Sequence, residues 1–221
     1  CALPILTENA DMFLAGIAML PMNNIPAAIK IINNLPANFV GVQVFTRANG
    51  ISIAAADYDP IFKAAANHHL LVLLHPIFDS RKPDNNLVFS WEYELSQAAL
   101  ELVETGLFDR YPNIKIIIHH AGAMIPFFAG RIDHILSAKQ AAAFKKFYVD
   151  TALLGNAPAL QLAIGYFGAN HVMFGTDAPF GESPAGATRT IIAALKQLNL
   201  PTDSQALINK ANYQRLVAKI K

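Results

Sequence analysis

The chain has 221 residues, 53% of them hydrophobic and 15% charged, with a formal net charge of +1 and a mean hydropathy of +0.32. That length suits one sizeable core, and the scattered basic residues make no electrostatic footprint for nucleic acid or a membrane surface. No uninterrupted apolar stretch reaches the ~18–20 residues of a bilayer span, no signal peptide is legible, and the single cysteine, Cys1, excludes an internal disulfide framework and fits a reducing cytoplasm.

Apolar runs then alternate with amphipathic stretches. FLAGIAML (13–20) predicts a strand, after which Asn24 caps a helix with Pro26 in its first turn, running to about Asn34. FVGVQVFT (39–46) is the second strand, Asp59-Pro60 opens a helix through FKAAANHH, and LLVLLHP (70–76) is the third strand. A polar loop over 79–90, a helix over 91–107 and the turn DRYPN lead to IKIIIHH (114–120), the fourth strand. Pro126 opens a helix reaching about Phe144, KFYVDTA (146–152) is the fifth strand, and Asn156-Ala-Pro158 starts the next helix. VMFGTDA (172–178) is the sixth strand, Ser183-Pro184 begins the helix after it, and a last helix spans about 204–219.

Strand and helix in regular alternation, with no linker or repeat, predict one parallel α/β domain over 1–221. An open doubly wound sheet binds its ligand at one switch point, whereas here polar groups end the third to the sixth strand alike, which favours a ring. The usual ring has eight strands. With six in hand and a chain opening on Cys1 rather than Met, the expectation is a (β/α)8 TIM barrel truncated at its N-terminus, processing being the weaker alternative.

The groups at those strand ends are where parallel α/β proteins place chemistry. His75 stands before Pro76 at a strand terminus; it is either a metal ligand or a core histidine satisfied by a backbone carbonyl. His119 and His120 are adjacent, so on a strand they point to opposite sides: one faces inward and the other packs towards the helices. Asp177, in GTDAPFG, either binds a cation or caps the Ser183–Pro184 turn, and the ligand reading is favoured because an unpaired buried carboxylate is costly. Asp150, ending YVDTA, is placed to hydrogen-bond a ligand imidazole, and Arg47 to pair with a substrate carboxylate, each with an equal structural reading. Trp91 and Phe180 are candidates for the pocket wall, while His68, His69, His134 and His171 lie where a structural role is expected.

The segments LLVLLHP, FDRYPNIKIIIHHAGAMIPFFAGRID and VMFGTDAPFG, closed by KANYQRLV, resemble the amidohydrolase-related metal-dependent hydrolases. More narrowly they resemble the aminocarboxymuconate-semialdehyde decarboxylase-like group, which includes the resorcylate decarboxylases. The resemblance runs from about Phe13 to Arg215 and implies a distorted (β/α)8 barrel with a divalent metal at its C-terminal mouth: zinc, with manganese, iron or cobalt as alternatives. It implies that His75 and Asp177 are metal ligands and that His120, six residues before Pro126, is the catalytic histidine, with Asp177 also moving a proton. Ala123 replaces the second glycine of the pattern H-x-G-G-x-x-P, and the His-x-His pair of the first strand is not in this sequence.

The function so implied is hydrolysis or decarboxylation of a small carboxylated or phenolic compound. The alternative is a non-catalytic barrel module serving as an interaction partner. With His75 and Asp177 as the only ligands counted, weak metal binding and negligible turnover are expected of these residues alone. Open strand edges would also allow pairing between copies.

Overall fold

The computed structural model describes residues 3–82, 87–181, 186–218 and 220. Five parallel strands make the main sheet: β1 (Gly16–Met19), β2 (Phe39–Phe45), β5 (Leu71–His75), β6 (Lys115–Ile118) and β7 (Tyr148–Val149), in the order β1-β2-β5-β6-β7. A two-residue hairpin, β3 (Arg47–Ala48) with β4 (Ile51–Ser52), stands apart from it. The central strands read as unbroken apolar runs because both of their faces are covered. On one face Val42, Val44, Val72, Leu74, Ile116 and Ile118 pack with Ile61 and Phe62 of the helix Asp59–Asn67 and with Leu95, Ala99 and Leu102 of the helix Ser90–Glu104. On the other face Leu71, Ile117 and Tyr148 meet Met173 and Leu216.

Local signals set the helix ends. Asn24 Oδ1 accepts from the Ala27 amide at 3.1 Å and Asn156 Oδ1 from the Ala159 amide at 3.2 Å, as the cap reading expects. Several expectations need correction. The helix expected from Pro126 to Phe144 is two, Ala129–Ile135 and Ala138–Phe144, because Ser137 and Gln140 form a reciprocal capping box that starts a new helix. The helix expected over 91–107 ends at Glu104, and Gly106, at φ 72°, turns the chain into the short helix Leu107–Arg110. The last helix is broken into Thr202–Ala206, a π-turn at Leu207–Ala211 and Asn212–Val217. A helix at Leu3–Glu8 was not expected. The loop at 79–90 and the Ser183–Pro184 helix start fall partly or wholly outside the described residues.

The sixth strand is the largest correction. The 172–178 run joins the sheet only through a parallel bridge between Val149 and Val172. Beyond it the buried Thr151 hydroxyl takes the place of a backbone ladder, donating to Gly175 O at 2.8 Å and accepting from Gly175 N at 3.1 Å. Below this run the fully buried Asn212 donates to Ala169 O and Val172 O, both at 2.7 Å, and Arg215 donates to Asn170 O at 2.8 Å. The N-x-x-R pattern of KANYQRLV is thus a clamp on the entry to the 172–178 segment. Removing a buried amide that satisfies two carbonyls leaves them unpaired, so Asn212→Ala lowers stability by about 2–3 kcal/mol. The check is the urea midpoint, which falls with an unchanged slope.

Candidate active site

The C-terminal ends of β5, β6 and β7, with the 172–178 segment beside them, gather three imidazoles and two carboxylates. Phe45 pairs with His75 in the β2–β5 register, and Thr46 N donates to His75 O at 3.0 Å, which fixes the backbone under the ring. The His75 Nδ1 lies 2.6 Å from Pro76 O, a contact that calls for the N–H on Nδ1 and leaves Nε2 as the acceptor. The ring sits 5.3 Å from that of His119, 6.0 Å from His120 and 5.7 Å from Trp91, centroid to centroid. Burial, followed by the neighbouring imidazoles His119 and His120, pushes the His75 pKa below its ordinary value against the opposing pull of Pro76 O and Asp177.

His119 and His120 are not on opposite sides of a strand, which corrects the sequence reading. β6 ends at Ile118, and His120 takes the left-handed conformation, φ 57° and ψ 48°, which swings its ring back beside that of His119. Ala121, Gly122 and Ala123 follow with φ of 54°, 82° and 55°. Each non-glycine residue held there costs roughly 1–2 kcal/mol. A Cβ on Gly122 would meet the Phe167 ring at 2.6 Å, so this position needs glycine for space as well as conformation.

Asp150 holds the turn in place. Its Oδ1 accepts from Ala121 N at 3.1 Å and Ala152 N at 3.0 Å, and its Oδ2 from His119 Nδ1 at 2.8 Å. Burial favours the neutral acid, but the hydrogen bond from His119, the two nearby imidazoles and Ala152 N outweigh it and keep the carboxyl below its usual range. The sequence-based partner of a site imidazole is therefore placed against His119, whose Nε2 is buried without a partner.

His120 stacks near Trp91, with centroids 6.5 Å and planes 21° apart, while the Trp91 indole N–H donates to Ile77 O at 3.2 Å. Glu92 Oε1 stands 2.7 Å from His120 Nδ1, close but off the line of an aligned hydrogen bond, and Asp177 Oδ2 is 4.0 Å from His120 Nε2. Asp177 has φ 56°, and its carbonyl accepts from the amide of the exposed Phe180 at 2.8 Å. Glu92 was missed by sequence reasoning, although its place beside Trp91 in the first turn after the 79–90 loop was the available signal.

Arg47 stands just past the end of β2 with carboxylates about it. Its Nε meets Glu94 Oε1 at 2.6 Å and its guanidinium meets Asp79 Oδ2 at 3.0 Å, in a neighbouring cleft of about 530 Å³ that Arg81, Lys82 and Tyr93 also line. Three of the remaining histidines are structurally engaged, His68 with Asn33 Oδ1, His134 with Gly130 O and His171 with Phe147 O. His171 also stacks on Tyr148 at 4.4 Å.

Burial favours the neutral His120 ring, but Glu92, with Asp150 and Asp177 behind it, reverses the balance and raises the pKa above 6.5. A histidine raised in the folded state adds stability fully present below the unfolded pKa and lost as pH rises through the folded value. Glu92→Gln should bring the His120 titration, followed by NMR of its ring proton, below that of the wild type. It should lower the urea midpoint at pH about 5.5 more than at pH about 8.5; an equal loss at both would assign Glu92 to packing alone.

The Amidohydrolase family model matches residues 5–216. The chain is 26% identical over 201 residues to the 6-methylsalicylic acid decarboxylase of Penicillium expansum, covering 82% of this chain and 60% of that protein. It is 27% identical over 223 residues to the 2-amino-3-carboxymuconate-6-semialdehyde decarboxylase of Dictyostelium discoideum, covering 92% and 61%. The dihydroxybenzoic acid decarboxylase of Polaromonas sp. JS666, whose crystal structure holds manganese and the inhibitor 2-nitroresorcinol, superposes with a TM-score of 0.81 at 24% identity, over 98% of this chain and 72% of that one. The chain spans about half to three-fifths of the length of the curated relatives it matches. Its parallel strands and flanking helices are those of an amidohydrolase-type (β/α)8 barrel, and the chain belongs to the amidohydrolase family.

Proposed function

We propose that this chain carries the catalytic face of a metal-dependent decarboxylase acting on a small carboxylated phenol. The observation that carries this reading is the convergence of His75, His119 and His120 with Asp150 and Asp177 at the C-terminal strand ends, where such barrels place their chemistry. The substrate class rests on the relatives, which act on carboxylated aromatic or muconate compounds by name.

The donor chemistry fits a divalent ion in kind. His75 offers Nε2 with Nδ1 occupied, and Asp177, close enough to act on the His75 charge, offers a carboxylate in the same cluster. Among the described residues no three His, Cys, Asp or Glu groups already converge as a complete set. Zinc is the metal we assign, because imidazole donors suit it; manganese, present in the Polaromonas structure, is the alternative. When bound, the metal supplies a Lewis acid for the carboxylate or hydroxyl oxygens of the substrate.

The chain's own residues do the rest. Trp91, set edge-on to His75, forms an apolar wall for an aromatic ring, and the exposed Phe180, three residues beyond Asp177, is the candidate for a second. His120, whose pKa Glu92 raises, is the group that donates from Nε2 to the ring carbon. The carbon–carboxylate bond breaks, its electron pair stays on that carbon, the proton takes the vacated position and carbon dioxide leaves. An acid poised at this place suits decarboxylation better than hydrolysis, which calls for a base on water.

With Zn2+ or Mn2+ in excess to offset the short ligand set, the chain should release carbon dioxide slowly from 2,6-dihydroxybenzoate or 6-methylsalicylate. His120→Gln should lower kcat by about 10²–10⁴-fold. Equal rates for wild type and His120→Gln, both loaded with metal, would remove His120 from this role.

A further inference from the structure

His119 is left without a task by that reading, yet it has the features of a site residue. Leu74 pairs with Ile118 in the last row of the β5–β6 ladder, and just beyond it the His75 and His119 rings stand edge to face. Both rings are fixed the same way. His75 spends its Nδ1 on Pro76 O and His119 spends its Nδ1 on the Asp150 carboxylate. Imidazoles that bind metals hold their second nitrogen in this manner, on a backbone carbonyl or a carboxylate, which sets the tautomer with a lone pair on the free nitrogen. In His119 that free nitrogen is buried and has no partner. Leaving it so costs about 1–3 kcal/mol. His68, His134 and His171 each have a ring nitrogen engaged outside this cluster.

The separation of the two rings points the same way. Two imidazoles each about 2.0–2.1 Å from one tetrahedral ion have centroids roughly 5 Å apart. Those of His75 and His119 are 5.3 Å apart, with planes inclined at 69°.

We infer that His75 and His119 form a two-imidazole grip for a single divalent ion through their Nε2 atoms, with Asp150 as the carboxylate that orients His119. The inference rests on the site's being metal-dependent and adds a ligand that the reading above does not contain. It also narrows the metal. A second imidazole shifts the donor set towards nitrogen, which favours Zn2+ or Co2+ over the oxygen-seeking Mn2+.

The test is calorimetric titration of the metal-stripped 221-residue chain with Zn2+ and with Mn2+. The wild type should take up about one equivalent of Zn2+ more tightly than Mn2+. His119→Gln should weaken Zn2+ binding at least about tenfold and Asp150→Asn by about 10–100-fold, while His134→Gln should match the wild type. Because Asp150 also holds the turn, a second measurement uses the unaltered protein: ring-nitrogen NMR, in which saturating Zn2+ should move the Nε2 signals of His75 and His119 and leave that of His134 in place. No Zn2+ uptake by the wild type, equal uptake by His119→Gln, or an unmoved His119 signal would overturn the pair. Carbon dioxide release with Zn2+ bound and His119 unmoved would overturn the pair alone. Zn2+ held through His119 without any release would overturn the decarboxylase reading and leave the pair standing.

Discussion

The structure of the site depends on one buried carboxylate. Asp150 collects three donors, from the His119 ring, the Ala121 amide and the Ala152 amide, and so ties the end of β6 to the end of β7. A buried carboxylate with no such donors would carry a penalty of several kcal/mol. With them it becomes the fixed point about which the strained turn is built. The positive-φ run from His120 to Ala123 is a costly conformation, and the Ala121 amide on Asp150 is one of the bonds that hold it. His119 is aimed by the same atoms, and His120 is swung back beside it by the turn. Neither ring is placed by its strand alone.

Around this point the site divides into two electrostatic halves. On one side His75 and His119 are held with their lone pairs free by Pro76 O and Asp150. On the other, His120 sits between Glu92 and Asp177, which favour its charged form against burial. Neighbouring imidazoles thus have opposite protonation preferences, His75 pushed down and His120 pushed up. Environments that drive like groups apart in this way are a means of separating a binding role from an acid role in one pocket.

Much of this was legible in the chain. The runs giving β2, β5 and β6 were read to within a residue or two of their bounds, because aliphatic stretches buried on both faces leave little ambiguity. The caps at Asn24 and Asn156 followed from side chains that bond their own helix. The 172–178 run misled because its apolar opening resembles a strand, whereas its pairing passes to the Thr151 hydroxyl after a single bridge. The histidine pair misled for a different reason. Alternation between faces applies only while a strand lasts, and β6 stops one residue before His119. Glu92 was invisible because its partner lies across the fold, and Arg47 gave no hint of the two carboxylates that bind it.

The Thr151 hydroxyl has a mechanical consequence. Strands β5, β6 and β7 are joined by backbone ladders, while the segment leading to Asp177 is held by one bridge, by Asn212 on Val172 O, by Phe174 N on Ile208 O and, nearest Asp177, by the Thr151 hydroxyl. A ladder yields as a unit, but a single hydroxyl that both donates and accepts can act as a pivot. The site is therefore joined in two ways: its imidazoles follow strands paired by backbone ladders, and its acidic arm follows a segment pinned largely by side chains. Fine adjustment of the distance between nitrogen and oxygen donors falls to the arm, without any cost to the register of the sheet.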